Sequence, residues 1–195
     1  MRRLLTWSLV LIAIAIAAFT YINGTPLGKS HGLTGTVAHT DPMEKYFKAK
    51  LQKGVRVDSI VVVKHRRQMS VYRHDTLLKI YRVALGDTPV GHKHFEGDEK
   101  TPEGLYTIFD KNPNSTCHKN LGISYPNNAD RAYAQKAGKP VGGDVKIHGL
   151  PNGQGYIGKA HLLDDWTNGC VAVTDAEIDE LYAHTPVGIP VNILP

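Results

Sequence analysis

The chain has 195 residues, a hydrophobic fraction of 42%, a charged fraction of 21% and a formal charge of +5. Those values fit one packed domain with a short appendage and exclude bulk disorder. The positive balance is mild, Arg2 and Arg3 supply part of it, and no basic–aromatic interleaving marks a nucleic-acid partner.

Residues 4–22 form the first element, an apolar run without charge directly after Arg2 and Arg3. As a helix it is just long enough for a bilayer core of about 30 Å, and the preceding arginines orient the rest of the chain outward. A cleaved secretory signal is the alternative, with Ala13, Ala15, Ala17 and Ala18 offering small residues at a cleavage site. The run continues past them through Phe19, Tyr21 and Ile22, which favours a retained anchor. Both readings export the body to the periplasm or cell envelope, and the anchor would tether it to the inner membrane. Residues 23–39, rich in Gly, Thr and Ser, read as a tether. Residues 41–53 read as a short helix with Asp41 as cap and Pro42 at its first position, so 23–57 is linker plus helix.

From residue 58 the texture changes to short β-branched runs between polar turns. Strands are predicted at 59–64, 68–73, 79–86, 104–110, 144–149, 169–174 and 190–194. A helix is predicted over 175–184, where Ile178, Leu181 and Tyr182 recur at helical spacing after a cap at Thr174 or Asp175. Residues 124–144 read as a surface loop, long enough to wall or cover a substrate. No internal repeat is visible. The prediction is one mainly β domain over 58–195.

Two residues carry candidate chemistry. Cys170 follows the polar turn DDWTNG and enters VAV, an unusual place for a cysteine that merely fills space. The glycine before it would let a reacting carbonyl approach backbone N–H groups. A thiol needs a base beside it, and His148, at the end of a predicted strand, is the best candidate if neighbouring strands bring the two together. Two other readings stand beside this one: a Cys117–Cys170 disulfide, natural for an exported protein, and a metal site. His92 and His94, near Glu96, Asp98 and Glu99, suggest a metal pair, but no spacing typical of a zinc site supports it. Trp166, just upstream of Cys170, is a candidate floor for a cleft or a core residue.

The ordered segments IHG (147–149), TNGCVAV (167–173) and the upstream ALGDTPVGHKHFEGDEKTPEGLYTI (84–108) resemble the L,D-transpeptidase catalytic domain family of the YkuD type. The likeness covers about 58–194. It implies a β-sandwich with one or two short helices and a peptidoglycan enzyme without cofactor or metal. In that reading Cys170 is the acylated nucleophile and His148 the proton acceptor and donor. Gly169 and the Cys170 N–H contribute to the oxyanion hole, and Thr167 orients the loop. Gly149, Asn168, Lys146, Trp166 and His161 are the residues expected to face substrate. The implied partners are peptidoglycan stem peptides; no obligate protein partner is inferred. The reaction would be transfer of a stem tetrapeptide, through a cysteinyl thioester, to an amine. A hydrolase on the same scaffold and a non-catalytic wall-binding domain are the alternatives. Two departures from the family pattern stand out. Ala172 occupies a position where many relatives carry arginine, and the 150–165 segment is extended. Lys159, Arg131 or Lys146 are candidates for the missing cation.

Overall fold

Ile60 and Val62 of β1 (Ser59–Val63) are buried while their neighbours are half exposed, the period-two pattern of a strand with one face on a core. In this computed structural model, which describes residues 41–195, β1 starts a meander with β2 (Gln68–Arg73) and β3 (Thr76–Arg82). The long β4 (Gly104–Ser115) follows, then β5 (His118–Ile123), β6 (Lys146–His148), β7 (Val171–Ala172) and β8 (Pro190–Leu194). Three short helices accompany them: α1 (Glu44–Lys48), α2 (Asn128–Lys136) and α3 (Asp175–His184).

The eight strands make one sheet in the order β3-β2-β1-β8-β4-β5-β6-β7. β4 is the turning point: Gly104–Thr107 pair with β8 and Ile108–Ser115 with β5. Two isolated bridges, Ala84 with Ala172 and Gly86 with Thr167, join the chain after β3 to the opposite edge. The protein is therefore mainly β, as expected, but the architecture is one sheet curled over a single core rather than two separate sheets. Val62, Met69, Ile108, Ile123, Ile147 and Ile193 meet in that core, each worth about 1.5–3 kcal/mol of transfer free energy. α3 covers it with Ile178 and Leu181.

Most expected elements are present with small changes of extent. α1 is shorter than the expected 41–53, because Asp41 caps a turn instead, its carboxylate accepting the Met43 N–H at 2.9 Å. The expected loop 124–144 contains α2, closed by a capping box between Asn127 and Asp130. β5 was not expected at all. The predicted apolar helix at 4–22 and the tether at 23–39 lie outside the described residues. Among the described residues, no helix is long and apolar enough to cross a membrane.

Candidate active site

β6 and β7 run parallel, with Ile147 opposite Val171 and His148 opposite Ala172. Parallel neighbours cannot be joined by a tight turn, so the chain needs a crossover of a dozen residues or more between them. That requirement accounts for a crossover at 150–165, though not for its extension beyond the family pattern. Strand alternation then sets Lys146, His148, Cys170 and Ala172 on one face. His148 and Cys170 are thus diagonal neighbours on adjacent strands.

His148 is 7% exposed, and its Nδ1–H donates to the Gly149 carbonyl at 2.7 Å. This bond fixes the tautomer and leaves Nε2 as the basic nitrogen. Burial pulls the imidazole pKa down, the Gly149 carbonyl opposes that, and Lys146 adds to the lowering. Cys170 is half buried at the mouth of β7; its thiol points at the Asp144 carbonyl, 3.7 Å away, and not at the imidazole. Burial raises the thiol pKa, while the Lys146 backbone N–H works against that rise. Both shifts favour a neutral thiol beside a neutral imidazole over a preformed thiolate–imidazolium pair.

Thr167 staples the turn that carries the cysteine. It is 5% exposed, its hydroxyl donates to the Cys170 carbonyl at 2.9 Å and accepts the Gly169 N–H at 3.1 Å. Its backbone bonds Leu85 and Asp87 across the sheet closure. The Gly169 N–H, expected in an oxyanion hole, is thus engaged by Thr167 here. Gly169 contributes shape: its φ is +126°, and a Cβ would lie 2.4 Å from the Lys100 carbonyl. The 91–101 loop behind it is locked by buried Lys93 on Asp98 and by Lys64 on the carbonyls of Gly91 and Thr101. Thr101 Oγ1 accepts the Gly86 N–H, stitching together the two ends of the 84–108 segment.

The remaining candidates fall into two groups. Close to His148 are Gly149, through its carbonyl, and Trp166, whose ring meets the imidazole edge-on at 5.8 Å. His161 lies beyond Trp166 at 6.4 Å. Lys146 is paired with Asp144 at 2.7 Å beside Cys170, and exposed Asn168 lines a separate cavity of about 350 Å³ with Lys93, Glu96 and Gly142. Lys159 instead lines a small cleft with Phe47, Arg82 and Glu177, and Arg131 sits on α2, so neither is placed in the cavities that Asn168 and Trp166 line. Ala172 is fully buried, its N–H donating to the Ala84 carbonyl at 2.8 Å. A further cavity of about 610 Å³, lined by Arg56, Lys111 and Thr185, contains none of the candidates.

The competing readings can be weighed on the same geometry. Cys117 and Cys170 are both free thiols. His92 has both nitrogens committed, Nδ1 accepting the Glu103 N–H and Nε2 donating to Asp130, and His94 stacks on Tyr133 at 4.1 Å. No cluster able to hold a metal occurs among the described residues. Sequence reasoning missed Asn120, which faces His148 across β5–β6, is 1% exposed and has an unpaired Oδ1. Its only signal was a polar residue inside an unrecognised strand.

Comparison with known proteins bears on the fold and the family. The family model for the L,D-transpeptidase catalytic domain, YkuD, matches residues 57–193. The Escherichia coli (strain K12) protein YafK, whose own assignment as an L,D-transpeptidase is provisional, is 30% identical over 157 residues, 77% of this chain and 55% of YafK. The crystal structure of the helical cell shape determining protein Pgp2 from Campylobacter jejuni superposes with a TM-score of 0.54 at 25% identity, covering 74% of this chain and 50% of Pgp2. Bdellovibrio bacteriovorus Bd1075, at 21% identity and a TM-score of 0.50, shares the fold over 75% of this chain and 50% of its own. The chain therefore spans about half the length of the relatives it matches.

Proposed function

From a chain that belongs to the L,D-transpeptidase catalytic domain family, we propose an exported cysteine acyltransferase that acts on peptidoglycan stem peptides. The observation that carries this reading is the His148 tautomer. With Nδ1–H held by the Gly149 carbonyl, Nε2 is left as a base on the strand beside Cys170.

The thiol and imidazole start neutral, so the proton leaves Cys170 for His148 Nε2 as the sulfur attacks the carbonyl of a stem tetrapeptide. The tetrahedral oxyanion is met by the Cys170 N–H, in a space that Gly169 keeps open. Collapse breaks the peptide bond, His148 protonates the departing amine of the terminal D-alanine, and a thioester remains on Cys170. An amine then attacks the thioester carbonyl, the C–S bond breaks, and His148 returns the amine's proton to sulfur. Water in place of the amine turns the same site into a carboxypeptidase or endopeptidase. A contribution to wall geometry would be the cellular consequence, in keeping with the cell-shape role named for the Campylobacter relative.

Incubating the protein with purified muropeptides tests the reading. A cross-linked dimer, identified by mass, is the expected product; shortened monomers alone would make the protein a hydrolase, and no change would leave only a wall-binding domain.

A further inference from the structure

The crossover between β6 and β7 does more than return the chain to a parallel strand. It winds through 3₁₀ turns over Gly155–Leu163, broken at Gly158, and with Trp166 encloses a cavity of about 250 Å³. Leu150, Pro151, Ile157 and Ala160 give it apolar walls; no lysine or arginine lines it, and exposed Asp164 is the charged group on its lining.

Trp166 belongs both to this cavity and to the surroundings of His148. Its indole N–H is directed at His161 Nδ1, 3.5 Å away, so a neutral His161 carries its hydrogen on Nε2. That Nε2 is buried and has no partner among the described residues, although His161 lines the cavity. A buried donor without an acceptor is rare in a folded protein and calls for a partner that a ligand can supply. Burial also lowers the His161 pKa, with Glu177 opposing and His148 reinforcing, which keeps the ring neutral. The cavity thus offers apolar walls and a carboxylate, with an unpartnered neutral donor buried in its wall that a ligand reaches only when the wall gives, and it lacks any cation for a free carboxylate.

We propose that this cavity is the acceptor subsite, taking an amine-bearing peptide end with a small apolar side chain and an amidated, uncharged carboxyl. The amide oxygen accepts from His161 Nε2–H, the side chain fills the apolar walls, and the amine lies between Asp164 and His148. The assignment rests on Cys170 as the acylated residue, and it places the second half of the reaction on the crossover segment.

D-Alaninamide is the probe, and the first test needs no turnover. The chain has two tryptophans, Trp7 and Trp166, so a Cys170→Ser protein labelled with nitrogen-15 gives two indole N–H signals. Titration should move the Trp166 signal and leave that of Trp7 in place, and free D-alanine should bind about tenfold more weakly for want of a cation. An unmoved Trp166 signal, or equal binding of D-alanine, overturns the proposal. The second test separates the half-reactions. Ala160→Leu narrows the cavity and should raise KM for D-alaninamide about tenfold while changing Cys170 acylation by less than about twofold. His161→Phe should act in the same direction, and His161→Gln, which restores a donor, should recover part of the loss. Equal losses in acylation and transfer overturn the proposal. A wild-type protein that never acylates would sink the catalytic reading instead, whatever the indole titration shows.

Discussion

Two of the polar clusters on this sheet are built to opposite rules. Around Glu180 every group is matched: one carboxylate oxygen accepts the Leu51 N–H at 2.8 Å, and the other accepts from the Lys79 ammonium and, at 2.9 Å, the Tyr81 hydroxyl. Burial pushes the Glu180 pKa up, but these donors more than offset it and hold the acid ionised. Around His148 the matching is incomplete. Asn120, opposite His148 on β5, has a buried Oδ1 without a partner among the described residues, and His161 Nε2, beside Trp166, has none either. Saturated polar groups fasten a fold, whereas open valences in a preorganised pocket are left for something that comes and goes. The first cluster ties the segment before β1 to β3 and α3; the second surrounds the candidate base.

Substitutions can break or sharpen that contrast. The largest effect belongs to His148→Gln, expected to slow Cys170 acylation about a thousandfold with little change in melting temperature. Chemical modification followed by mass spectrometry and a thermal melt would measure both; a melt that collapses together with the rate would return His148 to the fastening class. Glu180→Ala should do the reverse, costing about 3 kcal/mol because Lys79 loses its buried partner, with acylation per folded molecule almost unchanged. Urea unfolding alongside the acylation assay decides it, and a large rate loss without loss of stability would reverse the assignment. Gly169→Ala strikes both properties: the clash with the Lys100 carbonyl and the positive φ predict a loss of about 2 kcal/mol and a poorly formed acylation site. Thr167→Val removes two hydrogen bonds from the cysteine turn and should cost about 1–2 kcal/mol with a modest rate loss.

The smallest effect is a pH dependence. His148 and His161 both have pKa values below the ordinary imidazole value of about 6.5, chiefly through burial. The unfolded chain therefore binds more protons than the folded one between that value and the depressed folded values. Stability should be full above about pH 6.5 and fall as pH drops through that window. A His161→Phe protein should show a shallower fall in urea midpoints over that range, and an unchanged slope would contradict the assignment.

Much of this was legible in the chain itself, for identifiable reasons. β1 and β8 announce themselves by their Val and Ile residues, β2 by the alternation of Met69 and Val71 with polar neighbours, and α3 by Ile178, Leu181 and Tyr182 at helical spacing after the Thr174 cap. β5 escaped because His118, Lys119, Asn120 and Gly122 break any polar–apolar alternation and Asn120 is buried by tertiary packing alone. β4 ran past its expected end because Asn112-Pro113-Asn114 reads as a turn, whereas the ladder absorbs it in a register shift between Asn112 and Ser115. α2 was hidden in a stretch of Asn, Gly and Pro; its cap closes on Asp130, whose burial under Tyr106 and His92 is a long-range fact. At the site, the Cys170 turn and His148 could be picked out by local pattern. The cavity on the crossover could not, since it depends on how the 150–165 segment folds back onto Trp166.

The most direct measurement is the mass of the intact protein after exposure to a carbapenem, whose strained acyl group a reactive cysteine opens without needing the natural donor. One adduct is predicted, mapped to Cys170 by peptide sequencing, absent in Cys170→Ala and strongly slowed in His148→Gln. An adduct on Cys117, or a wild-type mass that does not change, would contradict a nucleophile at 170 served by the imidazole at 148.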